Sequence, residues 1–242
     1  MNAIARTLAA ATLMMGVTGC NVSYSRSSSD GVPLSELDMS GQAPAGLELA
    51  APVTVRIEEG PALSITPSGD DELVAALRYE IEDGQLKIDL EDGNWRFGGN
   101  ASIVVTMPAP RSLEVDGSGD IESFALSGDA EVEIAGSGGI QVDAIDTRSL
   151  DIAIAGSGDL TGAGTTDTIS IEIAGSGNVG LADLQAGSGD IAIAGSGDVA
   201  FASDGKISVR IAGSGDVRIT GNATCDVSTA GSGDVICANS GS

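Results

Sequence analysis

The stretch Asp151-Ile152-Ala153-Ile154-Ala155-Gly156-Ser157-Gly158-Asp159-Leu160 decides the fold. Large apolar residues stand at 152, 154 and 160, and small or polar ones at 153, 155, 157 and 159. This is the period-two pattern of a strand with one buried face. The alternation runs straight through the glycines, so Gly156 and Gly158 take inward positions. The same reading holds for Ile171, Ile173, Gly175, Gly177 and Val179, and again for Val209, Ile211, Gly213, Gly215 and Val217.

Working outward, Gly-Ser-Gly followed by Asp, Asn or Gly begins at Gly117, Gly136, Gly156, Gly175, Gly195, Gly213 and Gly231, in steps of 19, 20, 19, 20, 18 and 18 residues. A near-constant period of this size marks a solenoid in which each repeat is one coil. Two alternate glycines let a strand bend sharply, so each Gly-Ser-Gly reads as a corner. The spacing therefore predicts an all-β fold, a single-stranded right-handed parallel β-helix. Neighbouring coils pair as parallel strands about 4.8 Å apart, and seven repeats make a rod on the order of 30 Å long. Ile, Val and Leu fill the narrow core, with Phe124 and Phe201 as its aromatics. Gly187-Ser188-Gly189-Asp190, only eight residues before Gly195, reads as a second corner of the same coil.

Five segments are expected. Residues 1–19 form a lipoprotein signal peptide: Arg6, an apolar stretch from Leu8 to Val17, then Val17-Thr18-Gly19-Cys20. The apolar run is shorter than the roughly 20 residues of a membrane-spanning helix. Cys20 is the expected lipidation site, carrying palmitate. An ordinary cleaved signal peptide with an incidental cysteine is the competing reading. Asn21, rather than Asp, favours sorting to the outer membrane, with periplasmic or surface orientation undetermined. Residues 20–33 read as a Ser-rich tether, 34–110 as a β-rich N-terminal part, 111–238 as the repeat β-helix and 239–242 as a tail.

Within 34–110, Val53–Ile57, Leu63–Ile65, Leu86–Leu90 and Ile103–Met107 look like strands, and Asp83-Gly84 is a tight-turn signal. Glu72 to Tyr79 fits either a helical turn or a strand. Trp95 and Phe97 sit in a Gly/Asn-rich loop, with Trp95 either folded onto the body or exposed as a contact.

The chain has 35 acidic and 11 basic residues, a formal net charge of −24, and no histidine. No basic patch is present to meet phosphates, which excludes nucleic acid as a direct partner. The acidity also keeps an extended protein with exposed edges soluble. Without histidine, no Ser-His or Cys-His nucleophile and no His metal site can form. Cys225 and Cys237 have inward parity, and export permits their disulfide; two buried thiols are the alternative.

The Asp after Gly-Ser-Gly recurs as Asp120, Asp159, Asp198, Asp216 and Asp234, with Gly139 and Asn178 between. Stacking puts these carboxylates about 5 Å apart, where each pair repels by about 1 kcal/mol in water. Asp198, Asp216 and Asp234 are consecutive and form a candidate cation ladder, with Ca²⁺ the candidate ion. The competing reading is that Asp and Asn simply favour turns beside Gly.

The arrangement resembles the bacterial family named putative auto-transporter adhesin, head GIN domain. The Val53–Ile57 strand, Asp83-Gly84-Gln85-Leu86-Lys87-Ile88, Ile103–Pro108 and Leu113-Glu114-Val115-Asp116-Gly117-Ser118-Gly119-Asp120-Ile121 carry the likeness, which covers about residues 34–238. The resemblance implies an exported or lipid-anchored protein with a parallel β-helix, and its name implies adhesion. The expected function is thus a non-enzymatic, adhesin-like interaction module on a membrane through the lipid at Cys20, with an envelope or surface partner. A periplasmic structural or envelope-binding lipoprotein is the second reading. A carbohydrate-active β-helix enzyme is a lower third, since the repeats hold only Arg148, Lys206, Arg210 and Arg218 as basic residues and almost no aromatic platforms. The last coil, near Val235 to Ala238, is a candidate surface for self-association because a naked solenoid end invites stacking.

Overall fold

A computed structural model of the protein describes residues 31–91, 93 and 99–237. The N-terminal part carries β1 (Gly46–Leu49), β2 (Thr54–Glu59), β3 (Ser64–Gly69), α1 (Asp71–Ala76), β4 (Leu77–Glu82), β5 (Gln85–Leu90) and β6 (Ala101–Met107). The repeats carry β7 (Ser112–Gly117), β8 (Asp120–Ser123), β9 (Leu126–Gly136), β10 (Gly139–Gly156), β11 (Asp159–Gly175) and β12 (Asn178–Gly195). They continue with β13 (Val199–Ser203), β14 (Lys206–Gly213), β15 (Val217–Thr220), β16 (Thr224–Gly231) and β17 (Val235–Cys237). The coils stack in parallel as a β-solenoid of about seven turns.

Three faces wind around one lumen. The first stacks β5, β1, β7, the end of β9, the ends of β10, β11 and β12, then β14 and β16. The second stacks β6, β2, β8, the starts of β10, β11 and β12, then β13, β15 and β17. The third runs through the middles of the long strands, such as Leu126 beside Ile145 and Gly164 beside Leu184. Pairing breaks at Arg148, Asp167 and Gly187 mark the corner before the first face, which is where Gly187-Ser188-Gly189 lies.

Inward residues form continuous columns. Leu113, Val132, Ile152, Ile171, Ile191, Val209 and Val227 stack in register along the first face. All but Val227 are buried. Each such side chain contributes about 1.5–3 kcal/mol by leaving water. Phe201 is fully buried, whereas Phe124 packs against the core only partly.

The corners explain their own sequence. The Ser157 N–H donates to the Gly136 carbonyl (2.7 Å) and the Ser176 N–H to the Gly156 carbonyl (2.7 Å), and this ladder continues to Ser232. The corner serines therefore tie the coils together through their backbone. Gly156 has a φ of 130°, and a Cβ there would fall on the Gly136 carbonyl oxygen. Gly158 is buried, and a Cβ there would overlap the Ile134 side chain. The first glycine is thus needed for both conformation and space, and the second for space.

The N-terminal part closes the far end by an order that does not follow the sequence. β1 lies between β5 and β7, and β2 between β6 and β8. Outside this first coil, β4 runs antiparallel to β5 and β3 antiparallel to β6. Asp83 (φ 51°) and Gly84 (φ 78°) form the two-residue turn between β4 and β5, the geometry such hairpins favour. Residues 72–79 hold both structures considered for them: α1, then β4 from Leu77. The Asp70 side chain starts the helix by accepting from the Glu72 and Leu73 N–H groups.

Candidate functional site

The Asp column lies on one corner edge, and its side chains from Asp120 to Asp216 are engaged. The Asp234 N–H donates to Asp216 Oδ1 (2.9 Å) and the Asp216 N–H to Asp198 Oδ1 (2.8 Å). The Asp198 N–H donates to Asn178 Oδ1 (3.1 Å), and the Asn178 N–H to Asp159 Oδ1 (3.1 Å). The Gly139 N–H bonds Asp120 Oδ1 in the same way (2.9 Å). Each side chain therefore supplies an acceptor where the corner interrupts the strand ladder. Asn does this as well as Asp because the needed group is an oxygen, not a charge. Asp198, Asp216 and Asp234 are stacked, but they are not where the described carboxylates crowd most closely.

That place is the capped end of the first face, where Glu48, Glu114 and Asp116 bring carboxylate oxygens within 4.8 Å of one another. The register Lys87–Glu48–Glu114–Glu133 stacks one outward position through β5, β1, β7 and β9. The Lys87 ammonium bonds Glu48 at 3.3 Å, and that carboxylate holds Lys87 above its ordinary pKa. Burial first, then the charges of Glu48, Asp116 and Glu133, push Glu114 up to about 7. Glu133 is raised by burial and by Glu131 and Asp116. These three carboxylates have the chemistry to hold a hard cation, but Lys87 already neutralises part of their charge. Sequence reasoning missed the cluster. Its signal, Glu-x-Asp in Leu113-Glu114-Val115-Asp116, means nothing until β1 stacks beside β7.

Further along the same face the outward residues shrink to alanine. A shallow depression of about 590 Å³ is lined by Ala153, Ala155, Ala174, Ala192, Ala194 and Ala212, with Glu172 and Arg210 set among them in the column that starts at Glu133. A second depression, of about 350 Å³, follows the Asp column and includes Asp198, Asp216, Asp234, Arg218 and Ile236. Arg210 and Arg218 thus line different surfaces. Neither depression brings a nucleophile together with a base.

Cys225 and Cys237 are joined by a disulfide, their Cα atoms 6.5 Å apart, across the end of the lumen. Cys20, Trp95 and Phe97 lie outside the described residues. No helix among the described residues is long and apolar enough to cross a membrane.

The family described as putative auto-transporter adhesin, head GIN domain, matches residues 43–223. The chain belongs to this family. Solved structures with the same fold include an adhesin so described from Bacteroides fragilis NCTC 9343, at 18% identity and a TM-score of 0.72, the match covering 80% of this chain and 92% of that one. A protein from Parabacteroides distasonis ATCC 8503, described as lipid binding, matches at 22% identity and a TM-score of 0.62, covering 81% and 94%. An adhesin so described from Parabacteroides merdae ATCC 43184 matches at 16% identity and a TM-score of 0.64, covering 81% and 93%. No curated protein matches the chain. At these identities the likeness is one of fold.

Proposed function

We propose that this member of the adhesin family is a non-enzymatic interaction module, held at the cell envelope by a lipid on Cys20. The observation that carries the reading is the first face. It is shallow, because one outward column is wholly alanine (Ala155, Ala174, Ala194, Ala212), and in the column beside it Ala153 and Ala192 alternate with Glu172 and Arg210. Such a surface suits contact with another broad surface rather than enclosure of a small substrate, for which pockets are concave and polar groups converge. The lipid anchor rests on the Val17-Thr18-Gly19-Cys20 box, and adhesion on the family.

The test is protease treatment of intact cells with lysed cells as control, alongside a Cys20→Ala variant. Digestion of the body on intact cells supports surface contact. Protection until lysis favours the periplasmic envelope-binding reading. Loss of palmitate incorporation and release of the body from the membrane fraction in Cys20→Ala support the anchor. Unchanged membrane retention of that variant removes it.

A further inference from the structure

The two ends of the rod differ. At one end β3 and β4 cover the first coil. At the other, β16 and β17 each pair only with β14 and β15 on the inner side, leaving their outer edge unpaired among the described residues. Val227 belongs to a column of otherwise buried side chains, yet it is 44% exposed, and Ile236 is 46% exposed. Edge strands are normally protected by Pro, Lys or a bulge. Thr224-Cys225-Asp226-Val227-Ser228-Thr229-Ala230-Gly231 contains no Pro or Lys, and its pairing with β14 runs without a register break.

Charge singles out the same end. Residues 1–198 carry 31 acidic and 8 basic side chains, residues 199–242 only 4 and 3. The last coils are close to neutral on a molecule that elsewhere repels its copies. Arg56, Arg78, Lys87 and Arg148 all have ion-pair partners. Arg210, on the penultimate coil, has none among the described residues. It stacks directly behind Ser228, which is too small to screen it.

We propose that a second copy of this chain occupies the open end, β16 pairing antiparallel with the partner's β16 about a two-fold axis at Val227. That register sets Val227 against the partner's Val227. It also sets Ser228 opposite the partner's Asp226, so that Arg210 reaches past Ser228 to the partner's Asp226, and the pair forms twice by symmetry. Because β16 is an edge, the hydrogen-bonding groups it exposes find partners without rearrangement of either rod. A coil cross-section on the order of 400 Å² per copy is below the roughly 800 Å² per partner of stable complexes. The dimer is therefore concentration-dependent.

The experiment is sedimentation equilibrium of the protein from about 10 µM to about 1 mM, the range that brackets an interface of this size. The wild type is expected to pass from monomer to dimer. Val227→Lys places a charge on the axis at an already exposed position, and is expected to stay monomeric with an unchanged melting curve. Arg210→Asp and Asp226→Arg should each weaken the dimer about tenfold, and the double variant should recover it. A single monomeric mass for the wild type across the range overturns the proposal. So does an unaffected dimer in Val227→Lys, or a double swap that fails to recover what each single swap lost.

Discussion

Glu114 offers a direct reading of how the acidic end is balanced. Its carboxyl sits half-buried on β7, with Glu48 on β1, Glu133 on β9 and Asp116 on its own strand, and only Lys87 opposing them. The folded protein holds the Glu114 proton up to about pH 7, whereas the ordinary value is 4.5. Between those values the native state binds more protons than the unfolded chain, so stability falls as pH rises through the window. Below about 4.5 the penalty is absent, and above about 7 it is complete. The full shift corresponds to about 3 kcal/mol, which solvent at a half-exposed group screens to about 1–2 kcal/mol. Glu114→Gln keeps the shape and removes the charge. Thermal melts followed by circular dichroism at pH 5 and pH 8 are the assay. At pH 8 the variant should melt about 2–8 °C above the wild type, and at pH 5 the offset should shrink to about a quarter of that. Glu172→Gln, whose column neighbours are Ala153 and Ala192, is the control and should leave the pH dependence unchanged. Equal melting of Glu114→Gln and wild type at pH 8, or an equal offset at both pH values, would refute the reasoning.

Three further predictions follow from the corners and the last coil. Gly156→Ala should destabilise by about 2–4 kcal/mol, because its Cβ falls on the Gly136 carbonyl; Gly117→Ala, at φ 119° with open space around it, should cost about 1 kcal/mol, and denaturant unfolding separates the two. Asp216→Asn keeps the oxygen that Asp234 N–H uses and should hold or slightly raise stability, whereas Asp216→Ala should cost about 1 kcal/mol. If the hydrogen bond is the whole role of the column, Ca²⁺ leaves both melting curves unchanged; a Ca²⁺-dependent rise that Asp216→Asn abolishes restores the cation ladder. Reducing Cys225–Cys237, which closes a loop of 12 residues, removes about 3 kcal/mol of chain constraint. Because β16 and β17 form the terminal coil, the loss should appear as faster hydrogen exchange there with little change in the main melting transition.

The repeat half of the fold was legible because every coil uses the same corner. The inward column Ile152, Ile171, Ile191, Val209 can be read by adding 19, 20 or 18 to a residue number, and the structure stacks those residues in that register. The N-terminal half gave up its strands but not their neighbours. Alternation in Leu86–Leu90 or Ile103–Met107 says that one face is buried, and is silent about which strand lies alongside. β1, marked only by Leu47 and Leu49, was not among the expected strands at all. It stacks on β7 across more than 60 residues of sequence, with β5 on its other side. The acidic cluster exists only through that placement, so no local pattern could announce it. The Asp column was visible as a spacing, but its chemistry was not. Only the stacked structure shows that the side chains of Asp120, Asp159, Asn178, Asp198 and Asp216 each meet a backbone N–H of the next coil.

The proposed end-to-end pairing bears on the proposed adhesion through the expected anchor at Cys20. Val32, near the start of the described chain, bridges Tyr79 of β4 at the capped end, so the described chain starts opposite the open end of the rod. Two rods joined at β16 would therefore carry the anchors proposed at Cys20 at the far ends of a double rod. Pairing between copies on one membrane requires both rods to lie down against an anionic surface that repels them, since most of the charge lies before residue 199. Pairing between copies on facing membranes lets both stand. Vesicles bearing the full lipid-anchored protein are thus expected to cluster, with turbidity rising with surface density, since many weak contacts act together. Vesicles bearing Val227→Lys should stay dispersed at the same density. Clustering that persists with Val227→Lys would move the contact from the open end to the alanine floor of the first face, where Ala194→Lys should then abolish it.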